Sequence, residues 1–536
     1  MPYVNVPNDL SKIKTKMAFN LTKRQLVCFG SAGAVGIPAY LLTRGTLGNT
    51  GAMFLMLGIM LPAFLLAMYE KDGLPFEKVV RNIIRAKFLR PGIRAYRTEN
   101  IYAPFAGPGA GKEDVIEKHK EKNGAAAKGK GRAALSAQQT IPYLSMHPDG
   151  VCKLPGGLYT KTVEYEDINY SVASTEDQTA IFSGWSSFLN YFDSSLPFQL
   201  SFINRRSHSR SRYQVNIPKA DDNYNSVRDE FTGMLKNQIA KSNNGIERSK
   251  YITFGIPAEG IAEARPRLER VEADVMGNFK RLGVPSEPMD GRARLALLHS
   301  QMHPGSREAF RFSWKDIPQT GLGTKDFIAP DSLDFRQSRT FRIGQYWGAV
   351  SYLQIMASEL SDKLLAEILE LDAEMTVTMH IQTVDQLKAI KTIKGKISDI
   401  GKMKVEEQRK AVRSGYDPDI LPPDLITFSK DAAELLADLQ SRNERMFLLT
   451  FTVVNLAPTR QRLENDVFTV GGIAQKYNCA LRRLDWQQEQ GFVSSLALGY
   501  NEVEIQRGMT TSSTAIFIPF MTRELRMAGA GPSTMA

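Results

Sequence analysis

The stretch AMFLMLGIMLPAFLLAMY, residues 52–69, runs for eighteen residues without a charge. At about 1.5 Å per residue a helix of that length covers about 27 Å, close to the roughly 30 Å hydrocarbon core of a bilayer. A second uncharged run, QLVCFGSAGAVGIPAYLLT at 25–43, precedes it, and the connection 44–51 carries a single charge, Arg44. Basic residues crowd the outer flanks: Lys12, Lys14, Lys16, Lys23 and Arg24 before the first run, and Lys71, Lys78, Arg81, Arg85, Lys87, Arg90, Arg94 and Arg97 after the second. Basic flanks stay on the cytoplasmic side. The pattern therefore predicts a two-helix transmembrane hairpin in the cytoplasmic membrane, both termini cytoplasmic, with Lys23, Arg24, Lys71, Lys78, Arg81, Arg85, Lys87 and Arg90 as its membrane-flanking residues. Two other readings compete. A cleaved signal peptide shares the basic start and apolar core, but the basic exit flank of the second run argues against export. A buried helical pair in a soluble protein fits the length and the flanks less well.

Behind the hairpin, residues 76–88 place Val79, Val80, Ile83, Ile84 and Phe88 on one helical face, opposite Lys78, Arg81, Arg85 and Lys87. Such a helix suits an anionic leaflet. Residues 107–135 are rich in Gly, Ala, Lys and Glu, with too little bulk to build a core, and read as a tether. Its start, FAGPGAGKED at 105–114, mimics a phosphate-binding loop. Ala106 stands where the first glycine belongs, Glu113 replaces the hydroxyl that reaches Mg²⁺, and Pro108 removes an N–H from the cradle. Elsewhere no Gly-Lys pair is followed by Ser or Thr. The chain is expected to lack a nucleotide site, to hold no metal, to need no cofactor of its own and not to be an enzyme.

The net charge of +11 over 536 residues is unevenly spread. Residues 1–100 carry 14 Lys and Arg against 5 Asp and Glu, residues 101–135 a net +3, and the remaining 401 a net −1. Long-range attraction of the large region to nucleic acid is therefore expected to be weak, and no specific nucleic-acid partner is expected. Cys28, Cys152 and Cys479 are too scattered for a disulfide framework or a metal site.

From residue 136 onward strand-like and helical patterns alternate without a repeat, which predicts an α+β region. Strands are expected at 158–170, 198–204, 251–256, 341–355, 375–381 and 446–454, and helices at 224–241, 261–280, 383–412, 430–445 and 460–477. In the long helix Thr383 and Gln386 match a capping box, and Val384, Leu387, Ile390, Ile393, Ile397, Ile400 and Met403 trace a face expected to bury against a sheet. The domain plan is thus a hairpin with its amphipathic flank at 1–100, a linker at 101–135, and a cytoplasmic body at 136–536 that divides into two subdomains near residue 330. Three constellations read as ordinary structure. His299 and His303 have zinc-helix spacing, but Ser300 replaces the glutamate base and Pro304 follows at once. Arg205, Arg206, Arg210 and Arg212 read as a solvated loop rather than a phosphate contact. Paired carboxylates such as Glu164 and Glu166 carry no catalytic spacing.

Nine segments together resemble the conjugative type IV secretion ATPases of the TraE or TraC kind, fused at the front to a PrgI-type membrane hairpin. They are AQQTIPY (137–143), MHPDG (146–150), EDINY (166–170), FLNYFDSS (188–195), KAVRSGYD (410–417), LQSRNERMF (439–447), AQKYNCAL (474–481), DWQQEQG (485–491) and EIQRGMTTSSTAIFIPF (504–520). The resemblance implies an amino-terminal ATPase part whose nucleotide-binding half, which would bind ATP, should follow Pro519 and Phe520. The tail TRELRMAGAGPSTMA leaves no room for that half, so a split or truncated member is expected. The implied partners are type IV secretion channel proteins, a separately supplied P-loop half or full-length ATPase, the cytoplasmic membrane and a second copy of the chain. The implied roles are docking of the secretion motor or, alternatively, one half of a split ATPase.

Overall fold

The computed structural model describes residues 3–7, 16–18, 21–71, 73–97, 135–206, 221–242, 246–306, 310–417, 421–441 and 443–520. FAGPGAGKED, nearly all of the tether, Arg210, Arg212 and the tail after Phe520 lie outside them.

Strand Met446–Ala457 shows how the body is built. Phe447, Leu449, Phe451 and Val453 enter one core, and Val454 and Leu456 enter another on the opposite face, as the two-residue period of a strand requires. Helices Thr175–Leu189, Ile261–Arg281, Lys363–Leu369 and Arg460–Lys476 cover the first face, contributing Trp185, Leu268, Leu364 and Val470. Helices Gly291–Met302 and Gln488–Ser495 cover the second through Leu295, Leu298 and Phe492. The two faces differ in chemistry: Phe198, Leu200, Met375, Val377 and Met379 enter the first core, whereas the alternate residues Gln199, Ser201, Thr376, Thr378 and His380 are buried polar groups, with Gln199 donating to the Leu496 carbonyl at 2.9 Å and His380 bonded to the Ser494 carbonyl at 2.7 Å.

Among the described residues these strands belong to a 14-stranded sheet. Its order runs from Ile93–Ala95 through Ser332–Asp334, Phe341–Ile343, Tyr346–Ile355, Met446–Ala457, Glu374–Thr383, Phe198–Arg206, Ile246–Pro257, Leu158–Tyr165 and Cys152–Lys153 to Ser145–Met146. Every neighbouring pair along this path is antiparallel. The mixed helix-and-strand class expected from sequence is what the chain adopts. Strands on both sides of residue 330 share this one sheet, and two of the described strands from the first hundred residues join the body. Ile93–Ala95 forms the edge beside Ser332–Asp334, while Tyr3–Asn5 pairs with Glu359–Ser361.

Several expected elements need correction. The strand expected at 341–355 is two, broken by a turn at Gly344 and Gln345, and the one at 158–170 stops at Tyr165. The helix expected from 430 begins at Pro423. Thr383 caps nothing: it ends a strand and donates its hydroxyl to the Phe192 carbonyl at 2.7 Å, while Asp385 caps helix Gln386–Arg413 by accepting the Lys388 N–H. The apolar face of that helix packs on helix Pro423–Ser441 rather than on a sheet, through Ala389, Ile393 and Ile400 against Leu425, Ala432, Leu435 and Leu439.

The two amino-terminal apolar runs fall inside one helical stretch, α1 (Lys23–Met68), which starts with a capping box between Thr22 and Gln25. Among the described residues it is the one helix long and apolar enough to cross a membrane, with mean hydropathy 2.2 in its most apolar window, of which 11% is buried. Gly48, at φ 70° and ψ 167°, leaves helical geometry inside it, in a region that only glycine enters at low cost. Residues far apart along α1 touch. The Phe29 and Phe64 rings are 5.2 Å apart, the Gln25 amide reaches the Met68 sulfur at 3.5 Å, and a Cβ on Gly36 would meet Met60 at 2.6 Å. In a straight helix residues 25 and 68 would stand about 65 Å apart.

Candidate docking interface

After α1 the chain reverses through the two-residue strands Glu70–Lys71 and Leu74–Pro75 and enters helix α2 (Phe76–Ile84). A wider π turn, Arg85–Leu89, continues it. The apolar and basic periodicity expected at 76–88 is therefore helical, but many of its basic groups point at protein. Lys78 and Arg81 both reach Glu504, at 2.6 and 3.0 Å, Arg85 reaches Glu502 at 2.7 Å, Arg90 pairs with Glu489, and Lys71 pairs with Asp485. Lys87 stacks 4.8 Å above the Trp486 ring. The remaining two predicted flanking residues sit in the first turn of α1, where Lys23 is exposed and Arg24 pairs with Glu77.

Arg94 is the centre of the contact. It lies in the edge strand, 1% exposed, and its guanidinium meets both oxygens of Glu489 at 2.6 and 3.1 Å. It also donates to the Thr140 hydroxyl at 2.9 Å and the Pro91 carbonyl at 3.2 Å, and lies over the Phe335 ring. Burial, with Arg90 and Arg85 close by, pulls its pKa down to about 10. The guanidinium therefore stays charged at neutral pH, and the two-toothed carboxylate contact compensates its desolvation. Glu489 is itself only 8% exposed.

The acidic side is held rigidly. Gln488 accepts the Val350 N–H at 2.8 Å and donates to the Val350 and Leu484 carbonyls, tying DWQQEQG to strand Tyr346–Ile355. Gly491 is required by proximity, since a Cβ there would lie 2.7 Å from both Leu484 and Val350. Trp486 takes a left-handed φ of 59°, which costs a non-glycine residue about 1–3 kcal/mol. Its backbone N–H donates to the Ser338 carbonyl at 2.9 Å, and its ring lies below Lys87. Burial alone would raise Asp485, but hydrogen bonds from Arg339 and Lys71 outweigh it and hold the carboxyl below its ordinary range. The Lys78 hydrogen bond, followed by Arg81, does the same for Glu504.

Residues 5–96 carry a PrgI family domain. The family is associated with conjugation. The match spans α1, α2 and the edge strand, so every basic group of this interface lies in the PrgI domain and Asp485, Glu489, Glu502 and Glu504 lie beyond it. No curated protein matches the chain.

Outside the PrgI domain, Arg205 and Arg206 end a strand rather than occupying a loop. They border a cavity of about 100 Å³ shared with His299, His303 and Glu374. The two imidazoles stack 4.1 Å apart, and burial, His303 and Arg205 lower His299 to about 4, so it is neutral at physiological pH. Glu164 pairs through the backbone with Tyr251 and Glu287 in the sheet. The acidic row was missed from sequence because its members stand about 400 residues from their partners. Their one local signal is four carboxylates within 485–504, set against a single basic neighbourhood at 71–94.

Proposed function

We propose that this protein is a membrane-anchored component of a conjugative type IV secretion system, docking and assembling the secretion motor at the inner face of the cytoplasmic membrane. The observation that carries the reading is the interface just described, by which a conjugation-associated PrgI domain grips a large α+β body through a buried Arg94–Glu489 pair and a row of further ion pairs. A helix serving only as a generic tether needs no such fitted contact. In this reading α1 crosses the bilayer twice, turning at Gly48, and both ends remain in the cytoplasm. The Phe29–Phe64 contact and the basic flanks support that topology. The body then presents surfaces to secretion channel proteins and to an ATPase chain carrying the P-loop, which binds the ATP that this chain does not. A second copy of the chain is a further partner.

Two experiments test this. In donor cells lacking the chain, conjugative transfer should be restored by the intact protein and not by one whose residues 1–97 are replaced by an unrelated two-span anchor. Equal rescue by both would show that the PrgI domain does no more than hold the body near the membrane. For topology, a cysteine placed at position 49, beside the turn, should be modified by an impermeant reagent from outside the cytoplasmic membrane and one at position 120 should not; the reverse pattern rejects the proposed orientation.

A further inference from the structure

The basic edge of the α2 segment is tied to the body, and this leaves its apolar residues to be accounted for. Ile84, Phe88 and Leu89 are 41, 62 and 57% exposed, three large apolar side chains within six residues of one another, whereas exposed residues of these types in the body, such as Leu387 and Phe468, stand far apart in sequence. Ile84 and Phe88, four residues apart, share one side of the helix, and the π turn adds Leu89 to it. Arg90 donates its N–H to the Arg85 carbonyl, five residues back, and this wider winding brings Leu89 round toward Ile84 and Phe88, where α-helical winding would carry it to the far side. The segment also begins at the ends of α1: the Phe76 ring meets Tyr69 edge-on at 5.4 Å, and Glu77 pairs with Arg24.

We propose that Ile84, Phe88 and Leu89 form a shallow wedge that inserts into the headgroup boundary of the bilayer beside α1. The proposal rests on reading α1 as membrane-spanning. The occupant is lipid because the patch follows the apolar surface of α1 within about twenty residues of its end and its segment starts beside the last turn of α1, where Phe76 meets Tyr69. Exposed Ile, Phe and Leu on one side of a short helix whose other side is polar are what a helix lying in an interface presents to lipid. Three side chains make too small a patch to hold a protein partner by themselves, but they suffice to set the depth of a segment already tethered there. The division of labour reverses the one expected from sequence: cations of the segment bind the body, and its apolar side binds the membrane.

The test uses the full chain in phosphatidylcholine–phosphatidylglycerol nanodiscs, with Cys28, Cys152 and Cys479 replaced by Ala and one fluorophore-labelled cysteine introduced at a time. Phe88→Cys reports the wedge, Leu89→Cys repeats the measurement should the first variant fold poorly, Leu57→Cys reports α1, and Val172→Cys reports an exposed position on the body. Nitroxide placed near the lipid headgroups should quench the label at 88 at least about fivefold more than that at 172, and 1 M salt should not abolish this, because the contact is apolar. Lipid quenching at 57 with only aqueous iodide quenching at 88 overturns the wedge and leaves the membrane reading of α1 standing. Iodide quenching at both 57 and 88 overturns both. Protection at 88 from iodide and lipid alike places a protein surface over the patch and overturns the lipid assignment.

Discussion

Replacing Glu489 by Gln removes one charge and almost no volume, and leaves Arg94 in a site 1% exposed with two further guanidiniums, Arg90 and Arg85, nearby. Exposed ion pairs such as Arg81–Glu504 contribute about 0.2–1 kcal/mol each. Breaking a buried pair by removing one partner costs about 3–5 kcal/mol, because the orphaned charge remains desolvated. The buried pair should therefore outweigh any single exposed pair, and the substitution should weaken docking by about 160-fold or more. The assay is a protease site inserted between residues 107 and 135, cut after reconstitution of the whole protein, followed by the rate at which residues 136–536 wash from the membrane. The intact sequence should hold after cutting, Glu489→Gln should release, and Glu504→Gln should release only slightly faster than the parent. Equal retention of the Glu489→Gln and parent proteins would refute the assignment of Arg94–Glu489 as the keystone. Faster release by Glu504→Gln than by Glu489→Gln would show that the exposed row carries the contact.

Acid should open the same interface: Asp485 and Glu504 have lowered carboxyl pKa values in the fold, so their contribution is complete above the ordinary carboxylate range of about 4 and is lost as pH falls through the lowered values. Retention of the cut body should therefore be flat from pH 8 to 5 and fall below 4, and a loss centred near pH 6 would contradict the assignment. Gly48→Ala should strain the turn inside α1 by about 1–3 kcal/mol and lengthen the distance between spin labels at 29 and 64 in part of the population. Asp385→Ala should destabilise helix Gln386–Arg413 by about 1 kcal/mol, seen as faster amide exchange in its first turn with no change at 446–457.

The central strands were legible because apolar residues recur at every second position in segments such as MTVTMHI at 375–381; the expected strands at 198–204, 375–381 and 446–454 lie within the observed ones. Three-residue strands such as Ile93–Ala95 carry no periodic signal, and nothing local in Ile-Arg-Ala marks an edge of the body's sheet. Periodicity in 383–412 revealed a buried face but not its cover, which a second helix supplies. The cap was misplaced because Thr383 and Asp385 are both good N-cap residues, and pairing of Thr383 with Phe447 kept it in the strand. The candidate interface was half visible. Its cations stood out as a cluster, whereas their partners follow only from the folding of a sheet that brings residue 94 to residue 489.

That separation sets a timetable. Glu489 is 395 residues after Arg94 in the chain, and at about 5–20 residues per second a ribosome needs about 20–80 s to cover the distance. Through that interval Lys71, Lys78, Arg81, Arg85 and Arg90 have emerged while Asp485, Glu489, Glu502 and Glu504 do not yet exist. On the proposed membrane-spanning reading of α1, the anionic phosphates of the inner leaflet are the counter-charges at hand. The cations that flank α1 would then pass to the body as its last strands complete, with lipid headgroups holding the docking surface as its placeholder during synthesis.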